Sequence, residues 1–95
     1  MNPILLSICI PTYNRADMLI NRIKEILQYN GNDIEIIILD NCSSDDTEQK
    51  IKSLTDHRIR YHRNKKPLLP SDNWLETYKY TNGKFAYHLN DRDHL

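Results

Sequence analysis

The chain has 95 residues, and its 13 Lys plus Arg balance 13 Asp plus Glu to a formal net charge of zero. A length of this order makes one small domain, or a piece of a larger one, around a single hydrophobic core. With no net charge, there is no overall field to draw in nucleic acid or an anionic membrane surface, and no apolar run approaches the roughly 20 residues that span a bilayer, so no nucleic acid partner and no transmembrane segment is expected and the chain reads as cytoplasmic.

The first element expected is a strand over residues 5–10 (LLSICI), apolar, rich in β-branched residues and closed by Pro11, which suits a strand covered on both faces. After the polar turn Thr12-Tyr13-Asn14, the residues Leu19, Ile23, Ile26 and Leu27 recur along one stripe of a helix, with Asn14 as its N-cap and Asn30-Gly31 as its stop. Residues 34–39 (IEIIIL) form a second buried strand. The turn formers of residues 40–46 then lead into a helix with Ile51 and Leu54 on its apolar edge, its start favoured by Asp45, Asp46 and Glu48. Residues 58–62 alternate as a half-exposed strand near a sheet edge. Residues 64–70 (NKKPLLP) make a loop, and Ser71 or Asp72 caps a third helix that carries Trp74, Leu75 and Tyr78 inward until Asn82-Gly83 ends it. Residues 84–89 (KFAYHL) are the fourth strand. Cys9 and Cys42 are too few for a disulfide framework or a zinc site, so both are expected as free thiols, Cys42 filling a turn.

Strands alternating with helices predict a Rossmann-like α/β sandwich of three layers, its mainly parallel sheet ordered 3-2-1-4 through right-handed crossovers. The C-terminal strand ends then share one edge, where open α/β sheets bind ligands. That edge collects Thr12-Tyr13-Asn14, Asp40-Asn41 and Asp91-Arg92-Asp93. Asp91 and Asp93, two apart at a strand end, lie on one side of an extended segment and suit Mg²⁺ or Mn²⁺, with a diphosphate completing the shell. Asp40 and Asn41 serve either to hold a base or ribose or, for Asp40, to cap the next helix. Tyr13 either stacks on a base or covers the core. The positive run of Arg58, Arg60, Arg63, Lys65 and Lys66 reads first as a solvated edge, with Arg63 or Lys65 near phosphate as the functional version. With glycine only at Gly31 and Gly83, neither a P-loop nor a dinucleotide-binding turn is present.

Residues 7–15 (SICIPTYNR), 39–47 (LDNCSSDDT) and 83–95 (GKFAYHLNDRDHL), in this order and spacing, resemble the start of a family 2 glycosyltransferase with the GT-A fold. The resemblance covers essentially the whole chain. It implies that Thr12, Tyr13, Asp40, Asn41 and Asp91 bind the nucleotide diphosphate and that Asp91 and Asp93 hold the metal. It further implies a UDP-, dTDP- or GDP-sugar donor, a glycan or lipid-linked acceptor, and a place at the inner face of the membrane in a longer protein. Many members carry a second acid where Asn41 stands, and the general base belongs to an acceptor-binding half beyond Leu95. Residues 1–95 are thus expected to be the donor-binding domain of a glycosyltransferase, able to pair as a homodimer through an uncovered fourth strand. The rival from another class is a non-catalytic nucleotide- or metal-binding module with a regulatory or assembly role.

Overall fold

The computed structural model describes residues 3–90. Its elements are β1 (Leu6–Thr12), α1 (Ala16–Leu27), β2 (Ile34–Asp40), α2 (Thr47–Lys52), β3 (Ile59–Arg63), α3 (Pro70–Glu76), the short 3₁₀ turn Thr77–Tyr80 and β4 (Phe85–His88). The four strands form one sheet in the order β3-β2-β1-β4, and every pairing is parallel. The expected order and direction of the strands are therefore those found.

Side chains alternate across each strand, so the sheet has two chemically different faces. Ile8, Ile10, Ile36 and Ile38 point to one face and pack with Leu19, Ile23 and Ile26 of α1 and Ile51 of α2. This face is an aliphatic core of the kind that the helix stripe predicts. The other face carries Ser7, Glu35 and Cys9 beside Ile37 and Leu39, all of them fully buried, and α3 with its 3₁₀ extension covers it.

On that second face the outcome differs from the sequence expectation. Trp74, Leu75 and Tyr78 do not point inward: they are 38%, 62% and 48% exposed, while Asn73 and Thr77 are buried at 3% and 0%. The reason is the surface beneath them. Asn73 Nδ2 donates to the carbonyl of Leu39 near the end of β2 (3.3 Å), a bond that no apolar side chain could make. The helix begins at Pro70, with Leu69 as cap, so Ser71 and Asp72 lie inside the first turn. Proline suits that position because it has no N–H to leave unsatisfied and its φ is already helical.

The first helix is also capped otherwise than expected. Asn14 sits at φ 50° and directs its carboxamide across to the next loop, where Oδ1 accepts from the N–H groups of Ser44 (2.7 Å) and Asp45 (3.3 Å). Asp45 reciprocates by accepting from Ala16 N–H (3.4 Å) at the start of α1 and from Thr47 N–H (3.1 Å) at the start of α2. Burial works against ionisation of Asp45, but these bonds prevail and hold its carboxyl below the usual range.

Glu35 is the buried charge that binds the second face together. It accepts from Ser7 Oγ (2.6 Å), Asn82 N–H (2.6 Å), Asn82 Nδ2 (3.1 Å) and Arg60 Nε (3.1 Å), joining three strands to the turn before β4. Desolvation would raise its pKa, and the four donors outweigh it, leaving the pKa lowered. Gly83 completes the junction: its N–H donates to Ser7 Oγ (2.8 Å), and a Cβ there would come within 2.7 Å of Ser7 N. Only glycine lets that turn lie against β1.

The basic run divides among structural partners. Arg58, 7% exposed, pairs with Asp56 (2.9 Å) and donates to the carbonyls of Tyr29 (2.5 Å) and Gly31 (3.0 Å) just beyond α1. Arg60 meets Glu35, and Arg63 meets Asp40 (3.4 Å) and Glu48 (3.9 Å). Both cysteines are free thiols. β4 is a sheet edge with Phe85 and Tyr87 exposed at 58% and 50%.

Two stability predictions follow from these charges. Glu35→Ala leaves Ser7 and Asn82 without their acceptor, while Arg60 can turn to solvent, and is expected to cost about 1–3 kcal/mol in urea unfolding, whereas Glu35→Gln costs less. Asp56 is held at about 2 by its bonds to Arg58, against roughly 3.9 in an unfolded chain. Its contribution is complete above about pH 4 and is lost as pH falls toward 2. Urea midpoints measured between pH 5 and pH 2.5 should fall more steeply for the unsubstituted chain than for Asp56→Asn.

Candidate functional site

Because all strands run the same way, their C-terminal ends form one rim. Thr12 is paired with Asp40, and Asp40 with Arg63, side by side across β1, β2 and β3. On the other flank Leu89 N–H donates to Cys9 C=O (2.9 Å), which carries the chain from β4 to Asn90 beside the end of β1.

At this rim lies a crevice of about 530 Å³, within the range of small-molecule sites. Its floor comes from Pro11, Thr12, Tyr13 and Arg15 after β1, and from Asn41 and Cys42 after β2. One wall is Pro67, Leu68 and Pro70, with Asn73 and Trp74 of α3, and Asn90 closes the β4 side. Of the residues expected here, Thr12, Tyr13 and Asn41 line the crevice. Tyr13 is 54% exposed, so it does not serve as a core cover. Asp91 and Asp93 lie outside the described residues, immediately after Asn90 in sequence.

Asp40 lies beneath the rim and is completely buried. Its Oδ1 accepts from Ser43 N–H (2.8 Å), which forms the turn, and its Oδ2 accepts from Tyr61 Oη (2.5 Å) and Arg63 Nη1 (3.4 Å). Burial and the bond to Asp40 push the Tyr61 hydroxyl well above the ordinary phenol range, so it remains a donor. Asp40 thus shapes the turn after β2 but does not cap α2 as considered from sequence: α2 starts after Asp46, and its first N–H is held by Asp45. Cys42 follows in the left-handed region at φ 64° and donates its thiol to Asn64 C=O (3.1 Å). A small side chain fits that backbone, in agreement with the turn-filling role.

Arg63 and Lys65 are not part of the lining; among the described residues the cation that is part of it is Arg15, from the loop after β1. Arg15 stood in the first motif, yet nothing in its spacing separated it from a solvated loop residue. Trp74 was also missed, because its position in a helical stripe favours the core. It is instead presented at the crevice and backed by His88, whose ring stacks on it at 4.4 Å and 9°. His88 Nε2 lies 2.7 Å from Thr77 Oγ1, and burial lowers its pKa, which favours the neutral ring at pH 7. Among the described residues no cluster of three His, Cys, Asp or Glu side chains could hold a metal ion by itself.

Comparison with known proteins agrees with this architecture. A family model described as Glycosyl transferase family 2 matches residues 7–93. A GalNAc(5)-diNAcBac-PP-undecaprenol beta-1,3-glucosyltransferase of Campylobacter jejuni is 37% identical over 93 residues, which are 95% of this chain and 30% of that protein. The abequosyltransferase RfbV of Salmonella typhimurium is 38% identical over 97 residues, covering 96% of this chain and 29% of its own length. The chain thus spans about 30% of the length of these relatives. The mannosyltransferase PcManGT of Pyrobaculum calidifontis, solved with GDP-Man and Mn²⁺, superposes with a TM-score of 0.82 at 14% identity, over 96% of this chain and 30% of that one. S. aureus TarS 1-349 in complex with UDP superposes with a TM-score of 0.86 at 18% identity, over 96% of this chain and 28% of that one. At these identities the two structures speak for the fold, a parallel 3-2-1-4 sheet of the GT-A type. With its strand order, its motifs and the family match over residues 7–93 all in accord, the chain belongs to glycosyl transferase family 2.

Proposed function

We propose that the rim crevice receives the nucleoside diphosphate of a UDP-, dTDP- or GDP-sugar, and that residues 1–95 are the donor-binding domain of a metal-dependent glycosyltransferase. The observation that carries this is the convergence of the β1, β2 and β4 ends on one crevice of about 530 Å³ that holds Thr12, Tyr13, Arg15, Asn41 and Asn90. Tyr13 offers an exposed ring for a base, and stacking of that kind is worth about 1–3 kcal/mol. Thr12 supplies a hydroxyl at the floor, and Asp40 acts from below by fixing the turn. Arg15 brings the positive charge that a diphosphate requires. The ligands carried by the two structural neighbours, GDP-Man with Mn²⁺ in one and UDP in the other, support this ligand class.

Asp91 and Asp93 come after Asn90 in sequence and are the residues that would hold Mg²⁺ or Mn²⁺. An oxygen-only pair of carboxylates fits a hard cation that takes its remaining ligands from phosphate and water. When bound, the cation neutralises charge on the departing diphosphate. The acceptor and the general base belong to a part of the enzyme outside these residues, so the chain alone is expected to transfer sugar slowly or not at all. The Campylobacter jejuni relative is named for an undecaprenol-linked substrate, which supports a lipid-linked glycan acceptor and hence a site of action at a membrane surface. No helix among the described residues is long and apolar enough to cross a membrane. The exposed β4 edge with Phe85 and Tyr87 is the surface through which a second copy would pair.

The test uses the lone tryptophan. Trp74 lines the crevice and is the chain's one Trp, so its fluorescence reports occupancy. Titration with UDP, dTDP and GDP, each with and without Mn²⁺, should give saturable binding to at least one of them that depends on the metal. Asp93→Ala should weaken it at least about tenfold, or 1.4 kcal/mol. Binding indifferent to both metal and substitution would instead favour a non-catalytic nucleotide-binding module, and no binding at all would remove the donor-site assignment.

A further inference from the structure

The wall of the crevice is held by a chain of side-chain amides. Asn41 faces the backbone of Leu68 and bonds both of its polar groups: Nδ2 donates to Leu68 C=O (2.7 Å), and Oδ1 accepts from Leu68 N–H (2.7 Å). The same Oδ1 accepts from Asn64 Nδ2 (3.1 Å), which also donates to Asn73 Oδ1 (2.6 Å). Asn73 Nδ2 ends the series on Leu39 C=O. Asn64 N–H extends the β3 ladder to Asp40 C=O (2.9 Å).

Every direction in this series is fixed by a backbone group at its two ends. Leu39 C=O can only accept, so Asn73 presents its oxygen to Asn64. Leu68 requires a donor and an acceptor together at position 41, a combination that an amide has and a carboxylate lacks. An aspartate at 41 would still accept from Leu68 N–H with one oxygen but would set the other, an acceptor, against the Leu68 carbonyl and leave that carbonyl without its donor. Both lone pairs of Asn41 Oδ1 are in use, which leaves one N–H of the amide uncommitted among the described residues.

We propose that Asn41 is a positioning residue that latches the 64–70 loop as a preformed crevice wall, and that in this chain, where Leu68 meets position 41 with both its carbonyl and its N–H, nucleotide affinity requires an amide there, whatever relatives with an acid at this position use instead. The proposal rests on the donor-site assignment above and deepens it. Pro67 and Leu68 are lining residues only while the loop stays closed over the end of β2. A chain whose loop is open part of the time loses apparent affinity in proportion to the closed fraction. Selection among nucleotides then falls to the exposed ring of Tyr13, the half-buried Arg15 and the main chain of the wall, with Asn41 acting through Leu68.

The experiment compares Asn41→Asp with the unsubstituted chain in the Trp74 titration, with UDP, dTDP and GDP plus Mn²⁺, at pH 7.5 and pH 5. At pH 7.5 the variant should bind about tenfold more weakly. At pH 5 the ratio should narrow to about threefold or less, because burial against a carbonyl favours the neutral carboxyl, which regains a donor hydrogen. Asp40, Cys42, Lys65 and Lys66, the titratable neighbours on the turn and loop, are common to both chains and cancel in the ratio. Equal binding at pH 7.5, or a deficit unchanged by pH, overturns the latch. Failure of the unsubstituted chain to bind any of the three nucleotides counts against the donor site itself. Hydrogen exchange at the Leu68 amide decides the latch even if the variant does not fold: protection of about a hundredfold over the unstructured rate is expected in the unsubstituted chain, and exchange at the unstructured rate overturns it.

Discussion

The structure depends on one constraint, the parallel pairing of β1 with β2 on one side and β4 on the other. Parallel strands cannot be joined by tight turns, so each is separated from the next by a helical crossover, and the crossovers must lie on the faces of the sheet. Two consequences follow at once. Both faces are covered and β1 and β2 become the inner strands of the sheet, which is why Ile34–Asp40 is buried at all seven positions and β1 at five of its seven. The strand ends with their unpaired polar backbone are gathered at one rim, where the loops are free to specialise.

The two faces solve their packing differently, and the contrast explains the placement of the site. The α1 face is aliphatic and close to featureless, suited to stability alone. The α3 face is threaded with buried polar groups, Ser7, Glu35, Asn73 and Thr77, each tied to a strand or to the turn before β4. Satisfied networks of this kind fix geometry more tightly than hydrocarbon contact does, because each bond has a direction. The face with the directional bonds is the one that adjoins the crevice wall, so Leu68 is located by hydrogen bonds to Asn41, and Trp74 by its stacking on His88, whose Nε2 lies within hydrogen-bond distance of Thr77 Oγ1.

Much of this could be read in the sequence. The apolar runs around Ile8 and Ile36 and the 3.6-residue stripe from Leu19 to Leu27 are periodic signals of the core, and periodicity gives both element type and inward face. The strand order and the meeting of Thr12, Tyr13 and Asn41 at one rim followed from topology. What was not legible depended on partners distant in sequence. Asn14 has the composition of a local cap, yet its carboxamide serves a loop 30 residues away. Trp74 has the hydrophobicity of a core residue, but the strand-end carbonyl of Leu39 claims the inward position for Asn73. Glu35 stood in an apolar run with nothing nearby to show that Arg60 and Asn82 would converge on it. Arg58, Arg60 and Arg63 formed one charge run in sequence and became three separate anchors in space.

The reciprocal bonding of the loops after β1 and β2 bears on how such a protein can diverge. Asn14 holds the amides at Ser44 and Asp45, while Asp45 holds the start of α1. Neither loop therefore constitutes an independent unit of variation. An insertion or a polarity change in one strands donors in the other, so tolerated changes must arrive in pairs, and grafting either loop alone from a relative should fail where exchanging both succeeds.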